Sequence, residues 1–521
     1  MRLGSPHNRF SEVPRAEIPR SSFDRSHAYK TTFDASYLIP VFLDEVLPGD
    51  TFTVRMTAFA RLATPIFPIM DNMRLSSFFF FVPNRLIWDN WEKFNGEQTN
   101  PGDSTDFTMP QQTAPGGGYA EGSLADYFGI PTGVAGITPN AGPFRAYNLI
   151  WNEWFRDQNL QNSLTVDTDD GPDTDTDYVL KKRNKRHDYF TSALPWPQKG
   201  DAIELPLGDS APVVIDGTQT PFDLANPSTG PWHATLVNAT NQLNISGNAG
   251  GSGDVYFAGD TGLQADLTNA TAATINQLRQ AFQLQRLAER DARGGTRYIE
   301  IIRAHFGVTS PDARLQRPEY LGGGVSMVNV NAVAQTSSTD ATTPQGNLAA
   351  FGTSVINGHG FSKSFTEHGI VIGLVSLQAD LTYQQGLNRL WTRQTRFDHY
   401  WPALAYIGEQ AVRLDEIYAQ GTAADDDVFG YQERYAEYRY KPSQITGAFR
   451  SNAATPLDSW HLSIDFASAP ALNSSFIEDN PPVDRIIAVP TEPHILFDSW
   501  FNFRCARPMP VYGVPGLIDH F

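Results

Sequence analysis

KTTFDASYLIPVFLDEVLPGDTFTVRMTAFARLATPIFPIMDNMRLSSFFFFVPNRLIWDNWEKFNGEQ, residues 30–98, reads as β-strands punctuated by proline. Between Asp50 and Leu62, Phe52, Val54, Met56 and Ala58 fall on one side of an extended chain and Thr51, Thr53, Arg55 and Thr57 on the other. That is the period-two signature of a half-buried strand. Pro48-Gly49-Asp50 supplies the turn into it, and Pro65 and Pro68 keep the next segment out of a central strand, because proline has no N–H to give a ladder.

Further strands are predicted at Gly324–Asn331, Gly369–Tyr383, Trp460–Phe466 and His494–Ala506. In the last, Ile495, Phe497, Phe501 and Phe503 mark one face and Asp498, Asn502 and Arg504 the other, so the first and last strands belong in one sandwich. The clearest helix runs from Thr274 to Arg290, with Gly294-Gly295 as its stop, and a second covers Thr296–His305. Shorter helical patches at Asn90–Phe94 and Tyr147–Asp157 carry Trp91, Trp151 and Trp154, suited to core or to subunit contacts. Residues 201–268, rich in Gly, Asn, Thr, Ala and Pro, read as an exposed insertion, with further surface loops at 335–346 and 419–427.

The composition agrees with strands joined by turns. Of 521 residues 40% are hydrophobic and only 18% charged, with 42 Gly and 36 Pro. Aromatics reach 12%, 33 of them Phe, which suits a large core or an obligate assembly and equally a sandwich enzyme. The lone Cys505 excludes an intrachain disulfide framework and sits among Phe501 and Phe503 as a core residue would. The opening MRLGSPHNRFSEVPR has no apolar h-region and no run of apolar residues is long enough to span a bilayer, so the reading is of a protein made in the cytosol without membrane insertion.

No motif points to catalysis. HExxH, GxSxG, GxGxxG and P-loop patterns are absent, and the carboxylate pairs Glu409/Asp415 and Glu478/Asp479 carry no spacing that singles them out. Asp167–Asp177, DTDDGPDTDTD, is a candidate cation loop that lacks the bidentate Glu of an EF-hand; beside KKRNKRH at Lys181–His187 it reads as a charge-compensated polar loop. The basic heptamer is a candidate DNA contact or a solvated or intersubunit patch. Arg290, Arg293 and Arg297, with Arg314 and Arg317, can bridge carboxylates or phosphates. No cofactor and no metal site is implied.

Three blocks carry a family resemblance: FDASYLIP, DEVLPGDTF, FARLATPIFPIMDN and FFFFVPNRLIW near the start; Leu278–Gly324, LRQAFQLQRLAERDARGGTRYIEIIRAHFGVTSPDARLQRPEYLGGG; and Arg507–Phe521, RPMPVYGVPGLIDHF. They resemble the major capsid proteins of the Microviridae, in particular the gokushovirus branch of small single-stranded DNA bacteriophages. The resemblance implies an eight-stranded antiparallel jelly roll with long loop insertions and a few helices. It also implies about sixty copies closing through pentamers into a T=1 icosahedral shell around circular single-stranded DNA. A small basic DNA-binding virion protein, a pilot protein and a host-cell receptor are the implied partners, and the virion, made in the bacterial cytoplasm, the implied location. In this frame residues 1–35 are an extended basic arm and 36–521 one discontinuous domain, with 201–268 as a possible threefold protrusion and 269–324 as a helical insertion.

A net charge of −18 and a pI near 5.0 oppose a surface basic all over. The candidates for a local DNA-facing patch are Arg2, Arg9, Arg15, Arg20, Arg25 and Lys30, held extended by Pro6, Pro14 and Pro19, or else an arm on a neighbouring subunit. Trp88, Trp91, Arg290, Arg293, Arg297 and Tyr512 are the interface candidates. The rival readings are a β-sandwich glycosidase or carbohydrate-binding protein, and a trimeric receptor-binding fibre or spike.

Overall fold

The computed structural model describes residues 19–201, 203, 275–309, 314–337, 339 and 344–512, and the backbone of short strands between 213 and 265. The chain divides into two compact units, residues 1–197 with 296–521, and residues 198–295.

Ten strands organise the first unit: β1 (Ser21–Asp24), β2 (His27–Phe33), β3 (Ile39–Val46), β4 (Thr51–Leu62), β5 (Met73–Pro83), β6 (Glu319–Met327), β7 (Asn329–Ala334), β8 (Leu348–Ser364), β9 (Gly369–Ala379) and β10 (Ile495–Arg507). They form two antiparallel sheets, one in the order β1-β10-β4-β8-β7 with β2 also on β10, the other in the order β6-β5-β9-β3. The mainly β, antiparallel expectation holds. The larger sheet has six strands where four were expected, because β1 and β2 lie end to end along β10 and β7 folds back on β8 as an added edge.

Register explains the core. β4 and β10 are direct neighbours, pairing Phe52 with Cys505, Val54 with Phe503, Met56 with Phe501 and Leu62 with Ile495, so every inward residue of one strand meets an inward residue of the other. These side chains pack against Leu75, Phe79 and Phe81 of β5 and Val371 and Val375 of β9 in one continuous cluster between the sheets. Burial in that cluster pushes the Cys505 thiol up to about 11.

β5 and β9 read as near-continuous apolar runs because both their faces are covered. The second covering is the chain's own: helix α1 (Gly142–Ile150), continued by a π-helical turn at Trp151–Phe155, brings Phe144, Tyr147, Ile150 and Trp151 onto Phe80, Val82, Ile370 and Ile372. The larger sheet has no such cover among the described residues, and its outward positions Arg55, Thr57, Phe59, Arg61, Leu496, Trp500 and Arg504 are exposed.

The segment expected to be an extended basic arm over 1–35 is sheet for much of its course from Ser21 onward, its register running from Ser21 opposite Arg507 to Phe33 opposite Ile495. The proline argument for an arm ends at Pro19, and beyond it Phe23, Tyr29 and Phe33 alternate inward like any edge strand. Gly324–Asn331 proves to be the junction of β6 and β7, which lie in different sheets. Trp460–Phe466 is no strand: a 3₁₀ turn at Asp458–Trp460 leads into chain held by a lone bridge from Ile464 to Tyr383 and by side chains. Arg485 Nη2 donates to the carbonyls of His461 and Ser463, and the Leu462 N–H to Asp71.

The second unit contains a four-stranded antiparallel sheet (Gln242–Ser246, Gly230–Val237, Asp223–Asn226, Tyr256–Phe257), a strand pair, Val213–Ile215 with Leu263–Ala265, and helix α2 (Ile275–Arg293). α2 runs three residues past the expected Arg290, and Gly295, with φ of +95°, takes the left-handed conformation that ends it. The expected cap Thr274 lies outside the described residues. Helix α3 (Tyr298–Phe306), in the first unit, ends at Gly307 with φ of +69°.

Candidate assembly surface

A third cluster of buried side chains, including Tyr189, Phe190, Tyr383, Val412, Ile417, Phe429 and Phe476, anchors the long connection between β9 and β10. Its hairpin, Glu409–Arg413 with Val428–Glu433, and its buried carboxylate Glu416 are tied together at atomic detail. Glu416 accepts from the Tyr189 hydroxyl (2.9 Å), Arg389 Nη1 (3.0 Å) and the Arg413 N–H (3.0 Å). Burial raises the carboxyl pKa while Arg389 opposes the rise.

On this foundation residues 387–407 present a ridge of aromatic side chains. Tyr406 is 96% exposed and Trp391 74%, and Leu390, Phe397, Tyr400 and Ile407 are more than half exposed. The backbone beneath is fixed. Asp398 closes its turn by accepting from the N–H groups of Thr395 (2.6 Å) and Gln394 (3.0 Å), bonds that lower its pKa to about 2. Arg396 stacks over Trp401 at 4.4 Å, and Arg393 over Tyr438 at 4.2 Å while pairing with Glu437 at 3.3 Å. A contiguous apolar ridge on a rigid support is the usual mark of a protein–protein contact. The signal was present in the sequence as five aromatics between Leu387 and Ile407.

The sequence-predicted residues fall in varied places. Arg2, Arg9 and Arg15 lie outside the described residues. Arg20 donates to Thr51 Oγ1 (2.6 Å), Arg25 pairs with Asp44 and stacks over Phe503 at 5.2 Å, and Lys30 pairs with Asp498 at 3.0 Å. Trp88 is 2% exposed, its Nε1 donating to Asp170 Oδ1 at 2.7 Å, so it is core and has no surface to offer a neighbour. Trp91 packs on Trp88 and lines, with Ile87, Phe94, Met109 and His368, a cavity of about 300 Å³. Arg290 and Arg293 are exposed near the end of α2. Arg297 is spent inside the subunit, on Glu153 (2.9 Å) and Glu300 (2.9 Å). Tyr512 is exposed.

Members of both charged runs are also used within the subunit. Asp173 is held by Arg145, with Nε 2.7 Å from Oδ2, and by the Tyr178 hydroxyl at 2.6 Å; Arg145, which no sequence pattern singled out, is fully buried. In the basic heptamer Arg183 stacks over Phe78 at 4.9 Å, Lys185 over Phe476 at 4.3 Å, and Arg186 pairs with Asp380 at 3.1 Å. Burial lowers the Arg183 pKa to about 10. Arg183 and Lys185 are therefore used inside the subunit, while Arg186 and His187 remain exposed. Among the candidate carboxylates, Asp415 is clamped by Arg413 (2.9 Å) and Asp479 accepts from Ser36 Oγ (2.7 Å). Among the described residues no helix is long and apolar enough to cross a membrane, and none cluster as metal ligands.

Comparison with known proteins agrees with the three sequence blocks. Residues 11–517 match the family described as capsid protein (F protein). The capsid protein VP1 of Bdellovibrio phage phiMH2K is 52% identical across all of both chains, and that of Chlamydia phage 1 is 48% identical over 98% of each. The capsid protein VP1 of Spiroplasma virus 4 is 40% identical over 98% of this chain and 97% of its own. With one family spanning nearly the whole length and relatives this similar end to end, the chain belongs to the capsid protein (F protein) family of small phages.

Proposed function

We propose that the chain is the major structural subunit of a phage virion, assembling with copies of itself into a T=1 icosahedral shell of about sixty subunits around circular single-stranded DNA. The observation that carries this reading is the ridge at 387–407, whose aromatic side chains the subunit supports from below and leaves bare. Closed symmetry lets modest contacts of this kind act together.

The jelly roll is part of the same reading. Taking β2, β3, β4, β5, β6, β8, β9 and β10 as the principal strands, the chain alternates between sheets at every step except β5 to β6, which are neighbours in one sheet. Sheet orders β2-β10-β4-β8 and β6-β5-β9-β3 are those of two interleaved Greek keys, which supports an eight-stranded jelly roll with β1 and β7 as additions. Residues 201–268 and the surface loops are the proposed places for host attachment, and Tyr512 a proposed contact between copies. The acidity of the chain fits a shell whose DNA is neutralised partly by a separate small basic protein, with a pilot protein as a further partner.

Expression of the full chain followed by size-exclusion chromatography and negative-stain microscopy tests the proposal. Pentamers or closed particles are expected. A stable monomer that binds or cleaves glycans would favour the sandwich-enzyme rival, and stable trimers without particles a spike.

A further inference from the structure

Beside the point where the last strand leaves the sandwich lies the cavity of about 300 Å³. Its floor is made by the buried side chains of Val46, Ile87, Trp88 and Ile370, drawn from β3, β9 and the turn after β5. Leu47, Phe94 and Met109 form its rim and stay partly exposed. A void of roughly 150 Å³ already accepts a benzene ring, so this one takes a phenyl group together with a second branched side chain. Asn84 lines it too, and its buried Oδ1 accepts no hydrogen bond among the described residues, which leaves an acceptor for an N–H.

The chain is delivered to this rim. β10 finishes at Arg507, whose guanidinium holds Asp50 and the carbonyl of Glu45, itself a lining residue. Pro508 follows, its ring 3.5 Å from where a Cβ on Gly49 would stand. Met509, Val511 and Tyr512 beyond it are exposed. Residues 513–521 lie outside the described residues. Their sequence, GVPGLIDHF, sets a Pro515-Gly516 turn signal before Leu517, Ile518 and Phe521, with Asp519 and His520 as its only ionisable side chains. Proline followed by glycine favours a chain reversal, which directs Leu517 and Ile518 back towards the strand end they come from. Reach is ample: nine residues span about 30 Å, whereas Leu47 is within about 7 Å of Gly49 along the chain.

We infer that residues 513–521 fold back and seat Leu517 and Phe521 in the chain's own cavity, a clasp that fastens β10 of the larger sheet to β3 and β9 of the smaller one. Two surfaces match: an apolar hollow with a partly exposed rim, and an apolar segment tethered beside it. The tether matters because a short linker holds its segment at a millimolar effective concentration, enough to fill a site that would bind the free peptide only weakly. The clasp stands independently of the shell reading, since every residue in it belongs to one subunit.

Disulfide trapping in the full chain tests the inference, with Met109→Cys on the rim combined in turn with Leu517→Cys, Ile518→Cys and Phe521→Cys. Three partners are used because a disulfide needs Cβ atoms about 4 Å apart. The native Cys505 is buried, and Met109→Cys alone gives the background. At least one pair should close within a single chain under mild oxidation, seen as a monomer of altered mobility on a non-reducing gel and as a crosslinked peptide by mass spectrometry. Covalent dimers in place of closed monomers would overturn the inference by giving the cavity to a neighbouring copy, and no crosslink above background from any pair would overturn it outright. In a second measurement, a chain ending at Tyr512 should bind labelled GVPGLIDHF peptide at least tenfold more tightly than the full chain does, read by anisotropy, because the full chain fills its own cavity. Leu517→Ala/Phe521→Ala in the peptide should weaken that binding at least tenfold. Equal binding by the full and shortened chains would overturn the inference, and if the shortened chain does not fold, the trapping result decides alone. Particle formation, scored separately by microscopy, tests the shell and leaves this result unaffected.

Discussion

Arg507 Nε lies 3.0 Å from Asp50 Oδ2, joining the end of the last strand of the sandwich to the turn that opens β4. Asp50 is completely buried, and the same oxygen accepts the Leu47 N–H at 2.9 Å. Arg507 also donates to the Glu45 carbonyl at 2.6 Å. Removing the cation leaves a buried carboxylate without its charge partner. Arg507→Met should therefore destabilise the subunit by about 3 kcal/mol or more in urea unfolding. A variant within about 0.5 kcal/mol of wild type would show that the contact is incidental.

A second buried pair, Arg145 with Asp173, predicts a larger effect, since both side chains are inaccessible. Arg145→Met or Asp173→Leu alone should cost about 3–5 kcal/mol. The double variant Arg145→Met/Asp173→Leu should cost less than the sum of the singles, because no orphaned charge remains. Tyr178→Phe removes one hydrogen bond to the same carboxylate and should cost about 1–1.5 kcal/mol. Chemical denaturation reads all four values, the first three closing a double-mutant cycle with wild type.

β8 is bent past β4 by a bulge between Asn357 and His359, where Gly358 has φ of +74°. Two residues on, a Cβ at Gly360 would stand 1.9 Å from the Val54 carbonyl oxygen, an immovable backbone atom in the partner strand. Gly360→Ala should thus lose at least about 3 kcal/mol or fail to accumulate as soluble protein. Gly358→Ala, with open space around it, should lose only the left-handed penalty of about 1–2 kcal/mol. Equal effects at the two positions would contradict this account.

His461 should make the subunit acid-sensitive. Its Nδ1 accepts from the Ser463 N–H and faces Arg485 Nη2, each at 3.1 Å, so that nitrogen is held without a proton. Burial first, and Arg485 second, lower its pKa below 6.5, against the smaller opposing pull of the Phe449 backbone and then of Asp71 and Asp458. A depressed folded pKa means that the unfolded chain takes the proton more readily. The contribution is fully present above pH 6.5 and is lost as pH falls through the folded value. His461→Gln should flatten stability against pH in this window, and an unchanged slope would remove His461 as its source.

Trp391→Ser and Tyr406→Ser alter side chains that the subunit itself does not bury. Each should leave unfolding within about 0.5 kcal/mol of wild type and prevent particle formation. Normal particles from both would move the contact between copies elsewhere.

Alternation alone identified β4 and β10, and their inward faces meet as read, because a period of two survives any environment that buries one side. Local signals also located α2 and its glycine stop. Segments whose partners are remote were misread. Lys181–His187 looks like a free basic patch only until Phe78, Phe476 and Asp380 are seen beside it. Trp88 and Trp91 lie three residues apart and line the same cavity, yet Trp88 is buried and Trp91 keeps part of its ring exposed.

The sequence by itself determined that this is a mainly β chain of the capsid family, since strand periodicity and family blocks are properties of short contiguous stretches. Only the tertiary structure decided which charges are used up inside the subunit and which faces stay open. Covering the smaller sheet with α1 while leaving Arg55, Phe59 and Trp500 bare depends on contacts between residues far apart along the chain, and such contacts leave no periodic trace in it.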